Sequence, residues 1–74
     1  MHTEKTPYGY MVTVYGARFR VERDRNGRTI RWHLYSLANK GQITYLRTYD
    51  SYSECSIGLR AYADWCRNAH KGAA

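Results

Sequence analysis

At Thr48-Tyr49-Asp50-Ser51-Tyr52-Ser53-Glu54 the hydrophobic pattern of the chain changes its period. Upstream, apolar and polar residues alternate as in half-buried strands; downstream they recur every three or four residues, as on a helix, to about Ala69. Ser51 and Glu54 mark the change chemically. They have the S-x-x-E spacing of a capping box, in which the Ser hydroxyl accepts from the backbone N–H three residues on and the Glu carboxylate reaches back to the N–H of Ser51. A chain with strands before this point and a single helix after it has to lay the helix on one face of a sheet. What the other face is for then becomes the functional question.

Before the junction, residues 1–7 are polar, include Glu4 and Lys5, and read as a loosely held flexible arm. Residues 8–15, Tyr-Gly-Tyr-Met-Val-Thr-Val-Tyr, have the aromatic and β-branched composition of a strand. Gly16 interrupts them, either in a tight turn at Gly16-Ala17 into a second strand or as a bulge in one long bent strand. Next, Phe19 and Val21 alternate with Arg18, Arg20 and Glu22. Asp24-Arg25-Asn26-Gly27 reads as a hairpin turn, its Asn-Gly pair supplying positive φ. Over residues 28–36, Ile30, Trp32 and Leu34 point one way and Arg31, His33 and Tyr35 the other. A second turn is expected at Ala38-Asn39-Lys40-Gly41. In the strand over residues 42–48, Ile43 and Tyr45 lie opposite Thr44 and Leu46, and alternation does not decide which pair faces inward.

Within the helix, Cys55, Gly58, Leu59, Tyr62, Cys66 and Ala69 form one stripe, with Trp65 at its edge. The opposite face carries Ser56, Arg60, Asp64 and Arg67, and Ile57 points to that polar side. Gly72, after His70 and Lys71, is a suitable stop. The expected fold class is α+β: an antiparallel three- to four-stranded sheet packed on one C-terminal helix, in the order β-β-β-β-α. One domain over residues 1–74 is expected, with sheet over 8–48 and helix over 51–69.

A chain of 74 residues has little apolar surface to bury, so its two Trp, eight Tyr and one Phe must supply much of the core. Each aromatic removes roughly 150–250 Å² from water when buried, enough to close two layers but not to wall an enclosed active-site cavity. Cys55 and Cys66 are separated by about 16 Å along a helix and cannot bridge each other. They read as small buried apolar residues in a reducing, cytoplasmic compartment. His2, His33 and His70 lie on different elements, so neither a metal nor another cofactor is expected. No apolar segment suits export or membrane spanning.

Catalysis is not expected either. Asp50, Glu54 and His33 are the available acids and base, but the two carboxylates have helix-start roles and His33 lies between Arg31 and Tyr35 without an identified nucleophile. No Gly-Lys-Ser/Thr phosphate loop is present.

Arg23-Asp24-Arg25-Asn26-Gly27, Arg31-Trp32-His33-Leu34, Asn39-Lys40-Gly41-Gln42-Ile43, and Tyr49-Asp50-Ser51-Tyr52 with Cys55, Ile57 and Asn68-Ala69 resemble the motifs of the YegP-like family of small bacterial domains. The resemblance covers about residues 18–69 and implies three antiparallel strands on one helix. It implies no reaction. Tyr45-Leu46-Arg47-Thr48-Tyr49-Asp50-Ser51 is also similar to the third strand and helix start of the arm-site-binding domains of tyrosine integrases and the related plant DNA-binding domain. That second resemblance implies a sheet laid in the major groove, with Arg and aromatic residues toward the bases.

With Phe19, Val21, Ile30, Trp32 and Leu34 under the helix, the other face displays Arg18, Arg20, Arg31, His33 and Tyr35. The formal net charge is +6, and nine of the twelve basic residues are Arg, which favours bidentate contacts and ring stacking. Guanidinium groups interleaved with flat rings suit phosphates and bases. The expected function is therefore a non-enzymatic nucleic-acid-binding module, of a kind that phages and mobile elements encode. Two other uses fit the same surface. One is binding an acidic protein surface, as an inhibitor of a host or defence protein using Tyr and Arg hot spots; the other is an ordinary solvated face. Pairing of two copies through a sheet edge is a further partner expectation. Trp32→Ala is expected to be the most damaging strand substitution, at about 3–5 kcal/mol.

Overall fold

The computed structural model describes residues 1–37 and 42–72, with side chains as far as Asn68. Strands β1 (His2–Thr6), β2 (Gly9–Val14), β3 (Ala17–Asn26), β4 (Thr29–Ser36) and β5 (Thr44–Tyr49) form one antiparallel sheet in chain order, and α1 (Tyr52–Gly72) follows. The α+β class and the C-terminal helix are as expected, but the sheet has five strands rather than three to four. The additional strand is β1. Residues 1–7, expected as a flexible arm, instead pair with β2 from His2↔Thr13 to Thr6↔Gly9. As an edge strand β1 buries almost nothing, so no hydrophobic alternation announces it.

Hairpins with two-residue loops at Pro7-Tyr8, Tyr15-Gly16 and Gly27-Arg28 join the first four strands. Tyr15 and Gly16 take φ of 52° and 79°, the left-handed pair that a type I′ turn needs, so residues 8–23 make two strands. The turn falls one residue earlier than Gly16-Ala17, and the Arg67 guanidinium, 4.6 Å from the centre of the Tyr15 ring, ties it to the helix. In the third loop Gly27 takes φ of 64° and is the first central residue, leaving Asn26 paired with Thr29 inside the ribbon. The expected turn at Ala38-Asn39-Lys40-Gly41 lies outside the described residues.

Val12, Val14, Phe19, Val21 and Leu34 from the sheet meet Cys55, Leu59 and Ala63 from the helix in the buried core. Ser51 caps the helix, its Oγ accepting from the Glu54 N–H at 3.1 Å. At Gly58 a Cβ would run into the Tyr49 hydroxyl and lift that ring off the helix. Ala63, which was not assigned to the stripe, is buried, while Trp65 at its edge is 65% exposed; the side chain of Ala69 lies outside the described residues. Ile57 is exposed, as the helical pattern indicates.

Ile30, Trp32 and Leu34 share the helix side of β4 as expected, and Trp32 packs against the core, but burial fades along the strand. Ile30 is exposed and Trp32 is only half-buried, whereas Phe19 and Leu34 are among the largest fully buried side chains. The cause is where the helix begins. Tyr52 packs with tilted rings 5.2 Å from Trp32 and 4.9 Å from Tyr10, closing the core at that rung, and Ile30 lies beyond it. On β5 neither alternation holds throughout. Leu34 pairs with Arg47 but Tyr35 pairs with Tyr45, so Leu46 is the extra residue of a bulge. The bulge lets Leu46 pack on the core while Tyr45 stands on the opposite face. Among the described residues no helix is long and apolar enough to cross a membrane.

Candidate functional site

The sheet face away from the helix is built from strand positions that alternate with the core. Its central rung runs Glu4, Met11, Arg20, Tyr35, Tyr45, and the next runs Thr6, Gly9, Glu22, His33, Thr48. All five side chains expected at the site are on this face. They are not one cluster. Arg20 is directly across from Tyr35 and one rung from His33, but Arg18 lies near the β2–β3 turn and Arg31 pairs with Asp24, about 20 Å away along the strand at 3.3 Å per residue.

Two residues that alternation left undecided complete the centre. Tyr45 packs edge-on against Tyr35 with ring centres 5.7 Å apart, and its hydroxyl is 2.6 Å from Thr48 Oγ1. Thr48 Oγ1 is in turn 2.8 Å from His33 Nδ1, and His33 Nε2 is 3.3 Å from Asp24 Oδ2. With neutral His33 protonated on Nε2, each hydrogen has one acceptor: Tyr45 donates to Thr48, Thr48 to His33, and His33 to Asp24. This arrangement fixes the imidazole plane and holds the Asp24 carboxylate. It also places a hydroxyl, an imidazole and a carboxylate in line, the order used in acyl transfer. In that arrangement the Thr48 oxygen also accepts from Tyr45, and the hydrogen bonds together orient the His33 ring on a flat, open face.

Charge on the face is mixed. Arg18, Arg20 and Arg31 share it with Glu4, Glu22 and Asp24, and Arg20 Nε is 3.9 Å from Glu22 Oε1. Burial, helped by the Glu22 carboxylate, pushes the Tyr35 phenol above its ordinary value, so it stays neutral as a ring to stack on and a hydroxyl to donate. The flat centre is thus aromatic and nearly balanced, and the arginine excess lies elsewhere. Much of it is on the β3–β4 hairpin, where Arg23, Arg25, Arg28 and Arg31 are all exposed. A shallow depression along its outer side, from the turn to His33, is lined by Asp24, Asn26, Thr29, Arg31 and His33.

A second recess, lined by Phe19, Tyr62, Ala63 and Cys66 among others, lies under the later turns of the helix. Burial, then a hydrogen bond to the free cysteine Cys66, raises the Tyr62 phenol above its ordinary value. Among the described residues no three His, Cys, Asp or Glu side chains come together as metal ligands.

In comparisons with known proteins no family model matches this chain, and no curated protein or solved structure is significantly similar to it. The resemblances to the YegP-like family and to integrase arm-site domains therefore rest on their motif residues alone.

Proposed function

We propose that the protein is a small non-enzymatic nucleic-acid-binding module, of the type encoded by phages and mobile elements, which uses the Arg- and Tyr-bearing sheet face. The observation that carries this is the Arg20–Tyr35–Tyr45 row across three adjoining strands, a guanidinium beside two phenol rings on the uncovered face. Such a row offers a phosphate contact next to a stacking platform. Arg18, Arg31 and His33 extend it along the strands. Cytoplasmic placement belongs to the same proposal, since both cysteines are free thiols.

Titration of the whole chain with single-stranded and duplex oligonucleotides at low and near-physiological salt tests it. Binding that weakens with salt, and that weakens further by about tenfold in the Arg20→Ala, Tyr35→Ala double variant, is expected, since one stacked base contributes about 1–3 kcal/mol. Absence of binding at low salt would exclude the function. The alternative, an acidic protein surface as partner, is favoured by Tyr8, Tyr15 and Tyr45, each more than half exposed. Recovery of one stoichiometric acidic protein in a pull-down from the native host, with no oligonucleotide binding, would move the conclusion there. The open edge at β1 is where a second copy would pair, which sedimentation would reveal as a dimer.

A further inference from the structure

Pairing of β2 to β3 runs only as far as Gly9↔Glu22, with one more hydrogen bond from the Arg23 N–H to the Tyr8 carbonyl. Pairing of β5 to β4 ends at Trp32↔Tyr49. Beyond these rungs β3 and β4 continue alone, through Asp24↔Arg31, Arg25↔Ile30 and Asn26↔Thr29 to the Gly27-Arg28 turn. Every residue from 23 to 31 is exposed. The molecule consequently ends in a bare two-stranded ribbon, which contributes to its 47 Å long axis against 22 and 20 Å across.

We propose that this ribbon is an arm that enters the major groove of duplex DNA, with Arg25, Arg28 and Arg31 on phosphates and Asn26 and Thr29 against base edges. The inference rests on the nucleic-acid function proposed above and moves the principal contact from the flat face to the ribbon. Dimensions support it. Two strands about 4.8 Å apart, with side chains, fill a groove about 12 Å wide, and four residues of extended chain reach about 13 Å, more than the groove depth of about 8.5 Å. The narrow, deep major groove of an RNA duplex does not admit such an element.

Charge complementarity points the same way. The ribbon carries three arginines from Arg25 to Arg31, with Arg23 at its root, and its one acid, Asp24, is held at 3.3 Å by the His33 imidazole. Arg25 Nε donates to the Gly27 carbonyl at 3.3 Å on the exposed surface, a long bond that a phosphate contact can replace. Asn26 and Thr29 face each other next to the turn on the side that also bears Arg31, a set of donors and acceptors suited to base edges.

The test is anisotropy of labelled random-sequence DNA duplex, RNA duplex and single-stranded DNA with the full chain, at low and near-physiological salt, comparing the parent with Arg25→Ala, Arg28→Ala and with Arg20→Ala, Tyr35→Ala. Both ribbon residues are exposed, and circular dichroism confirms that each variant is folded. The expected result is tighter binding to DNA duplex than to RNA duplex. The ribbon variant should lose about tenfold or more in affinity for DNA duplex, with a salt slope smaller by about two. If the ribbon variant binds as the parent does while the Arg20, Tyr35 variant loses affinity, the arm is wrong and the flat-face function stands. Equal or tighter binding to RNA duplex overturns the major-groove placement. No binding to any of the three at low salt overturns both.

Discussion

Val21↔Leu34 and Arg25↔Ile30 are rungs of the same two strands, with side chains on the same side of the sheet, yet the first pair is buried and the second exposed. Backbone pairing and face are alike in the two places. What differs is cover: α1 starts at Tyr52, beside the Trp32–Tyr49 rung, and among the described residues nothing packs on the rungs beyond it. The lesson is that a strand alternation sets a face, while the length of the partner element sets how much of that face is core. The chain encodes the difference on β3, whose inward positions read Phe19, Val21 and then Arg23, Arg25. Two-stranded ribbons are marginal by themselves, so the bare end depends on the covered end for its register.

The largest test of this contrast is in the covered region. Phe19→Ala should cost about 3–5 kcal/mol by opening a cavity against Tyr62, and is expected to leave most of so small a domain unfolded in thermal or urea melts. Trp32→Ala, at the boundary, should cost roughly 2 kcal/mol, since its half-buried indole keeps ring contacts with Tyr10 and Tyr52. A larger loss for Trp32 than for Phe19 would mean that the core extends into the ribbon. Ser51→Ala should cost about 1 kcal/mol by freeing the Glu54 N–H, measurable as a lower urea midpoint.

Chemistry at the two thiols gives a gentler probe of cover. Burial pushes the Cys55 thiol up to about 11, whereas Cys66 is half-buried near the far end of the helix. A thiol reagent at mildly alkaline pH should therefore modify Cys66 well before Cys55. Because the folded state holds the Cys55 proton more tightly than the unfolded chain does, this contribution to stability is complete below about pH 9 and is lost as pH rises through about 11. A pH melt of the Cys55→Ala variant should show a smaller alkaline decline, the raised Tyr35, Tyr52 and Tyr62 phenols keeping the remainder. Smallest of all, Ile30→Ala should change stability by no more than about 0.5 kcal/mol, as expected for an exposed site. A loss comparable to that of a buried Leu would show that the ribbon is covered after all.

Much of this was legible from residue order because several local signals agree. Ser51 before the helical stripe, glycines at two tight turns, and the Phe19, Val21 and Leu34 alternation all specify the same sheet and helix. The features that escaped have physical reasons. β1 is an edge strand whose His2–Thr6 sequence is polar, so it carries no burial pattern to detect. The bulge at Leu46 resets the side-chain parity of β5, hiding Tyr45 and Thr48 from the candidate face although Arg20, His33 and Tyr35 were found. Arg18 and Arg31 were assigned to the correct face, but alternation reports side and not distance along the strand. That the helix stops short of Ile30 is a tertiary fact, visible in sequence only as the change from apolar to Arg at inward positions of β3.

The most direct test of the division between covered sheet and bare ribbon is a backbone amide NMR titration of the intact chain with a short DNA duplex. The largest shifts are expected at residues 23–31, smaller ones at Arg20, His33 and Tyr35, and little change at Val12, Leu59 and Ala63 in the core. Shifts confined to the outer helix face around Ile57 and Trp65, or no shifts at saturating duplex, would contradict it.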